Sequence, residues 1–127
     1  MDLGIAGKRA IVCASSKGLG LGCAEALAAA GVHLVMNARG SEALDASAEA
    51  IRSAYGVEVT TMATDVTTAD GQAELVNAAG NADILVNNAG GPPPGMWMDW
   101  DRDDFIAALD ANMLAPIALI KALVPGM

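Results

Sequence analysis

"IVCASSKGLGLG", residues 11–22, runs an aliphatic segment into small residues and three glycines, with one lysine, Lys17, among them. A strand that ends in a glycine-rich turn and continues as a helix makes a cradle for phosphate. Backbone N–H groups at the helix start face the anion, and missing side chains let it approach. Gly18, Gly20 and Gly22 are spaced G-x-G-x-G, which differs from the G-x-G-x-x-G fingerprint of dinucleotide folds. The turn alone is a weak signal, so its meaning depends on what surrounds it.

What surrounds it is an alternation. "KRAIVCA" (8–14), "VHLVMNA" (32–38), "VEVTTMA" (57–63) and "ADILVN" (82–87) read as strands, the first and last as apolar runs covered on both faces. Helical stretches lie between them. Residues 19–30 carry Leu19, Cys23 and Leu27 at four-residue spacing, and residues 42–55 carry Leu44, Ala48, Ile51 and Tyr55. A third helix begins at Thr67, whose hydroxyl has Asp70 at capping-box spacing. Crossovers of this length suit right-handed βαβ units. The fold class is therefore α/β, a Rossmann-type doubly wound parallel sheet, with residues 1–127 forming part of a single domain.

From Asp104 onward, Ile106, Leu109, Met113, Ile117, Ile120 and Val124 recur at three- and four-residue steps, which predicts one long amphipathic helix. It ends at "VPGM" with no further strand, so the chain is expected to be the front portion of a larger domain.

Composition narrows the function. The chain has 127 residues, of which 54% are hydrophobic and 17% charged, which excludes a disordered tail. A net charge of −8 argues against a nucleic-acid partner, because such partners need clustered basic side chains. No apolar run is expected to reach the length of a membrane span, and no charged-then-apolar leader opens the chain. Cys13 and Cys23 have no metal-ligand spacing and read as reduced thiols of a cytoplasmic protein. His33 stands alone, which leaves no metal site or histidine triad.

About 20 residues beyond the glycine turn, dinucleotide folds place a carboxylate for the adenosine ribose. Here that place reads Asn37, Ala38, Arg39. A 2′-phosphate is repelled by a carboxylate and held by a guanidinium fork. Lys17 adds a second cation from the neighbouring turn, so the pair favours NADP(H) over NAD(H). The alternative is that Lys17 and Arg39 are solvated surface charges.

"SSKGLG", "TDVT" and "NNAG", in this order and on these elements, resemble the short-chain dehydrogenase/reductase family over essentially the whole chain. The stretch "NNAGGPPPG" is most similar to 3-oxoacyl-acyl-carrier-protein reductases, enzymes of fatty acid biosynthesis. The resemblance implies that Ala14, Ser15, Ser16, Lys17, Gly18, Leu19 and Gly20 wrap the cofactor phosphates. It implies that Asp65 and Val66 line the adenine site, that Asn88, Ala89 and Gly90 lie along the ribose toward the nicotinamide, and that Asn87 helps hold the central strands. The family's usual Thr-Gly pair is replaced by Cys13 and Ala14, so the turn is expected to avoid conformations that only glycine tolerates.

Asn112 is expected to be partly buried on the last helix, sharing a face with Phe105, Ala108 and Leu119. Pro116, four residues on, has no N–H for the Asn112 carbonyl. In the resembled family an asparagine at this position holds a relay water through that carbonyl, which makes Asn112 the candidate catalytic residue. The alternative is a satisfied core amide beside a proline kink. The "GGPPPG" loop and "MWMDWDRDDF" (96–105) read as a substrate wall, or as packing of Trp97 and Trp100 under a stiff connection.

The family's chemistry uses a Tyr-x-x-x-Lys pair and an upstream serine. The one tyrosine, Tyr55, has Val59 four residues on, and Lys121 is the only lysine after Lys17. These 127 residues are therefore expected to be inactive alone, as part of an NADPH-dependent reductase of a ketone or acyl-thioester. A non-catalytic nucleotide-binding or assembly module is the alternative. The resemblance also implies a homo-oligomer, with the apolar stripe of the last helix as its contact.

Overall fold

In the computed structural model, which describes residues 1–127, the aliphatic runs form four parallel strands: β1 (Arg9–Val12), β2 (His33–Ala38), β3 (Val59–Ala63) and β4 (Ile84–Val86). Their order is β3-β2-β1-β4. β1 and β2 are central and almost wholly buried, whereas β4 lies at an edge and is half-buried. The register sets Ile11 beside Val35 on one side and Leu85 on the other. Helices α1 (Gly18–Ala29), α2 (Ser41–Tyr55) and α3 (Ala69–Ala79) follow the first three strands, completing the expected Rossmann-type architecture.

Successive strand residues point to opposite faces, which divides the core in two. Ala10, Val12, Leu34 and Met36 pack against α1 and α2 through Ala24, Ala28, Leu44, Ala48 and Ile51. Ile11, Cys13 and Val35 face the other way, onto Leu75 and Ala79 of α3 and onto Leu119 and Leu123 near the C-terminus.

Three helices depart from the pattern expected of them. In α1 the buried face is Gly20, Ala24 and Ala28, whereas Leu19 is 85% exposed and Cys23 is exposed. A helix that is apolar all round offers more than one four-residue stripe, and the small one wins because it lets the backbone approach the sheet closely. α3 starts later than expected. Its cap is Thr68, whose Oγ1 accepts from the Gly71 N–H at 3.1 Å, while the Thr67 hydroxyl donates to Asp65 instead. The reciprocal capping box forms elsewhere, between Asp101 and Asp104.

The last helix is interrupted. α4 (Arg102–Leu109) passes through a π-helical turn (Asp110–Leu114) into α5 (Ala115–Leu123) and a closing 3-10 turn (Val124–Gly126). The Ala115 N–H reaches back five residues to the Asp110 carbonyl. Pro116 has no N–H to offer Asn112, as expected, and the wide turn leaves the Ala111 carbonyl without its usual donor as well.

Asn112 is exposed rather than partly buried, and its Nδ2 donates to the Ala108 carbonyl at 3.1 Å. The stripe from Ile106 to Val124 faces outward, and Ala115, Leu119 and Leu123 make the core contact in its place. This also corrects the expectation about membrane spans. The helical run Arg102–Gly126 is long and apolar enough to cross a membrane by length and composition, its most apolar 18 residues having a mean hydropathy of 1.6. In this fold its Leu119 and Leu123 are lodged against the sheet and α3.

The two thiols have opposite settings. Cys13 is buried, which pushes its pKa from 9.0 to about 11, opposed by the Asn88 backbone N–H, whereas Cys23 is exposed. Iodoacetamide at about pH 8 is therefore expected to label one thiol in the native protein and both after denaturation, counted by intact mass. Because unfolding restores the Cys13 pKa to 9.0, the associated stability is complete below that pH and is lost as pH rises toward 11.

Candidate functional site

The turn after β1 is built around one carbonyl. Ala14 adopts φ 47°, the left-handed region, contrary to the expectation that its Cβ would keep it out. This geometry swings the Ala14 carbonyl under α1, where it accepts from Asn88 Nδ2 at 3.2 Å. A Cβ at Gly20 would overlap that carbonyl oxygen, so the second glycine is required by close approach. Gly18 is required by its positive φ of 59°, while Gly22 faces open space and is not needed for the turn.

Other polar bonds fix the remaining loops. Ser15 is fully buried; its N–H donates to the Asn37 carbonyl at 2.8 Å, and its hydroxyl accepts from the Asn37 N–H at 3.1 Å. Ser47 on α2 donates to the Ser16 carbonyl at 2.9 Å. After β3, Asp65 Oδ1 accepts from both the Thr67 N–H and the Thr67 hydroxyl. These two bonds, helped by the charge of Arg39, hold the Asp65 carboxyl below its usual value of 3.8. Gly71 admits the Asp65 carbonyl against α3, where a Cβ would overlap it.

The three loops enclose a cleft of about 1080 Å³ at the carboxyl ends of the strands. Ala14, Ser16 and Lys17 line it from the first loop, Asn37 and Arg39 from the second, Asp65 and Val66 from the third, and Asn88, Ala89 and Gly90 from the end of β4. Ser15, Gly18, Leu19 and Gly20 are not among its walls. Ser15 is enclosed by its bonds to Asn37, and Leu19 turns to solvent. Asn37 is 2% exposed, and its Nδ2 donates to the Met62 and Thr64 carbonyls, so its amide is committed to the fold rather than offered to a ligand. Asn87 is exposed, and the bond that ties β4 to β1 beyond the sheet is made by Asn88.

Residues missed in the sequence form further walls, among them Glu42, Ala43 and Ala46 of α2, Thr64, Ala107 of α4, and Asp110 and Ala111 of the π turn. Nothing in the spacing of the α2 alanines separates cleft from core. The π turn, by contrast, was signalled by Pro116.

Asn112 lies outside this cleft and lines an adjoining pocket of about 380 Å³ with Gly90 to Pro93, Trp100 and Phe105. Trp100 and Phe105 meet edge to face, with centroids 6.0 Å apart, while Trp97 is exposed. The two pockets share Gly90, Gly91, Ala107 and Ala111 and therefore adjoin.

Comparison with known proteins agrees with this fold. The family profile for short chain dehydrogenase matches residues 8–127. Dehydrogenase/reductase SDR family member 4 of Oryctolagus cuniculus is 38% identical over 97% of this chain and 49% of its own length. L-xylulose reductase of Mesocricetus auratus is 32% identical over 100% of this chain and 50% of its own. Among solved structures, L-sorbose reductase of Gluconobacter frateurii, complexed with NADPH and L-sorbose, superposes with a TM-score of 0.95 at 37% identity. That match covers 100% of this chain and 50% of the reductase, so the chain spans about half the length of these proteins.

Two substitutions test the turn in opposite directions. Ala14→Gly relieves the left-handed backbone and is expected to raise stability by about 1 kcal/mol. Gly20→Ala forces a Cβ onto the Ala14 carbonyl and is expected to lower stability by about 1–3 kcal/mol. Urea midpoints measure both.

Proposed function

The chain belongs to the short-chain dehydrogenase family, and from that membership we propose that it supplies the cofactor-binding portion of an NADPH-dependent carbonyl reductase. The observation that carries the cofactor reading is the pair of cations lining the cleft. Lys17 comes from the turn and Arg39 directly follows β2, and neither takes part in an ion pair. No carboxylate stands at the end of β2 to bind a free ribose hydroxyl. The NADPH described with L-sorbose reductase supports the same reading.

The residues present fit this cofactor. Ala14, Ser16 and Lys17 line the cleft from the glycine turn, where a pyrophosphate would lie, and the cleft runs past Asp65 and Val66 toward Asn88, Ala89 and Gly90. When bound, the nicotinamide supplies a hydride to the substrate carbonyl carbon. The proton for the oxygen is not available from this chain. Tyr55 is half-exposed at the end of α2 without a lysine partner, and Lys121 is exposed on α5. We place the proton donor, its lysine and the orienting serine outside these residues and expect the 127-residue chain alone to be inactive. Asn112 keeps a positioning role in this reading, because the π turn and Pro116 free carbonyls beside the smaller pocket, where a relay water would sit.

The substrate we propose is a small neutral ketone or sugar, the class named for the xylulose and sorbose reductases. A 3-oxoacyl group on acyl-carrier protein is the second reading, drawn from "NNAGGPPPG". Against it, Asp104 lines the smaller pocket and Asp99, Asp101 and Asp103 lie close to it in the chain, a run of negative charge that would repel an acidic carrier. The outward apolar stripe of Ile106, Leu109, Met113, Ile117, Ile120 and Val124 supports self-association, and the two free thiols suit a reducing cytoplasm.

Calorimetry of the protein expressed from its natural reading frame tests the cofactor claim. Arg39→Ala is expected to weaken NADPH by roughly 10–100-fold while leaving NADH nearly unchanged. Equal affinity of wild type for both cofactors, with no effect of Arg39→Ala, contradicts it.

A further inference from the structure

Asn37 stands in the middle of the polar bonds that hold the cleft together, although it presents almost no surface to a ligand. It lies at the end of β2, in register with Met62 of β3. Its Nδ2 donates to the Met62 carbonyl at 2.9 Å and to the Thr64 carbonyl at 3.0 Å, on either side of Ala63. Thr64 leads directly into Asp65, whose own carboxylate is fixed by Thr67. On the other side, the Asn37 backbone exchanges bonds with Ser15: the Ser15 N–H to its carbonyl at 2.8 Å, and its own N–H to Ser15 Oγ at 3.1 Å. Two residues further along the same strand end comes Arg39. One buried asparagine thus bonds both to the glycine turn and to the segment that becomes the Asp65 loop, and it immediately precedes the cationic loop.

We propose that Asn37 is a positioning residue for the dinucleotide, setting the Thr64–Asp65 segment relative to the glycine turn without touching the ligand itself. An apolar side chain of the same shape would remove both amide bonds to the Met62 and Thr64 carbonyls and loosen the third loop, leaving the Thr64 N–H bond to the Ala38 carbonyl as a remaining backbone link to the second. The backbone bonds to Ser15 would survive, so the turn and Arg39 would keep their places. This separates the role of Asn37 from that of Arg39. Loss of the amide loosens the adenosine end, which both cofactors share, whereas loss of the guanidinium affects only the 2′-phosphate. The inference rests on the cofactor reading above.

The test is calorimetric, on the protein expressed from its natural reading frame, with NADPH, NADH and the fragments 5′-AMP and 2′,5′-ADP as probes. Asn37→Leu is expected to weaken all four by roughly tenfold, leaving the ratio of phosphorylated to unphosphorylated affinity at its wild-type value. Ser15→Ala removes only a hydroxyl; it is the second variant should Asn37→Leu not fold, and a several-fold weakening of both cofactors is expected. Asn37→Leu that melts earlier yet binds with wild-type affinity while folded overturns the proposal. So does a change in the ratio alone, and so does wild-type affinity in Ser15→Ala if that is the only folded variant. A wild-type protein that binds none of the probes overturns the cofactor reading, and this inference with it.

Discussion

The Ala14 carbonyl, drawn under the first helix and bonded by the Asn88 amide, is the constraint on which the rest of the site depends. It requires glycine at position 20, because any side chain there would occupy the space of the oxygen. It puts Ala14 itself into the left-handed region. It also brings the segment after β4 alongside the turn after β1, although they are 74 residues apart in the chain. With that contact in place, Ala14, Ser16 and Lys17 line the cleft ahead of α1, and the small face of α1, Gly20, Ala24 and Ala28, can lie close to the sheet. Apolar burial holds the strands and helices together, but this polar contact decides where the loops end up.

Around it the cleft is assembled by hydrogen bonds more than by packing. Ser15 and Asn37 join the first two loops, Asn37 joins the second to the third, and Ser47 fastens the turn to α2. Each such bond contributes about 1 kcal/mol net, but an orphaned partner in a half-buried setting costs more than that. Such a network therefore favours one loop arrangement over its neighbours. The result is a set of fixed walls carrying a few charges: the cations Lys17 and Arg39, and the carboxylates Glu42, Asp65 and Asp110, of which Asp65 is held ionised by Thr67 with help from Arg39. Preorganisation of this kind lowers the entropy lost when a long, flexible dinucleotide binds.

Most of the fold was legible in the sequence, because strands covered on both faces read as aliphatic runs and the crossovers between them were too long for hairpins. The four strands fall within the expected segments, and three of the four residues of the expected α2 stripe, Leu44, Ala48 and Ile51, pack, while Tyr55 at the helix end is exposed. Where the reading failed, two features competed for one role. Leu19 and Gly20 both begin four-residue stripes, and the smaller residue is buried because proximity to the sheet counted for more than side-chain size. Thr67 and Thr68 are both capping residues, and Asp65 captured the first. Ile106 to Val124 form one apolar stripe and Ala115, Leu119 and Leu123 another, of which the sheet takes the second. Asn37 was read as a ligand contact because its place in the chain was right, but nothing in sequence reveals which way a strand-end amide turns. The two cations and the "NNAG" segment were legible because charge and turn chemistry survive without coordinates.

The most direct measurement of the central claim is amide chemical-shift mapping with 2′,5′-ADP, a probe that carries the adenosine with its 2′-phosphate and one 5′-phosphate but neither the second phosphate of the bridge nor the nicotinamide. The account predicts perturbations at residues 14–20, at Arg39 and the start of α2, at residues 64–67, and at residues 88–91. Perturbations confined to α4 and α5, or none at saturating ligand, would contradict it.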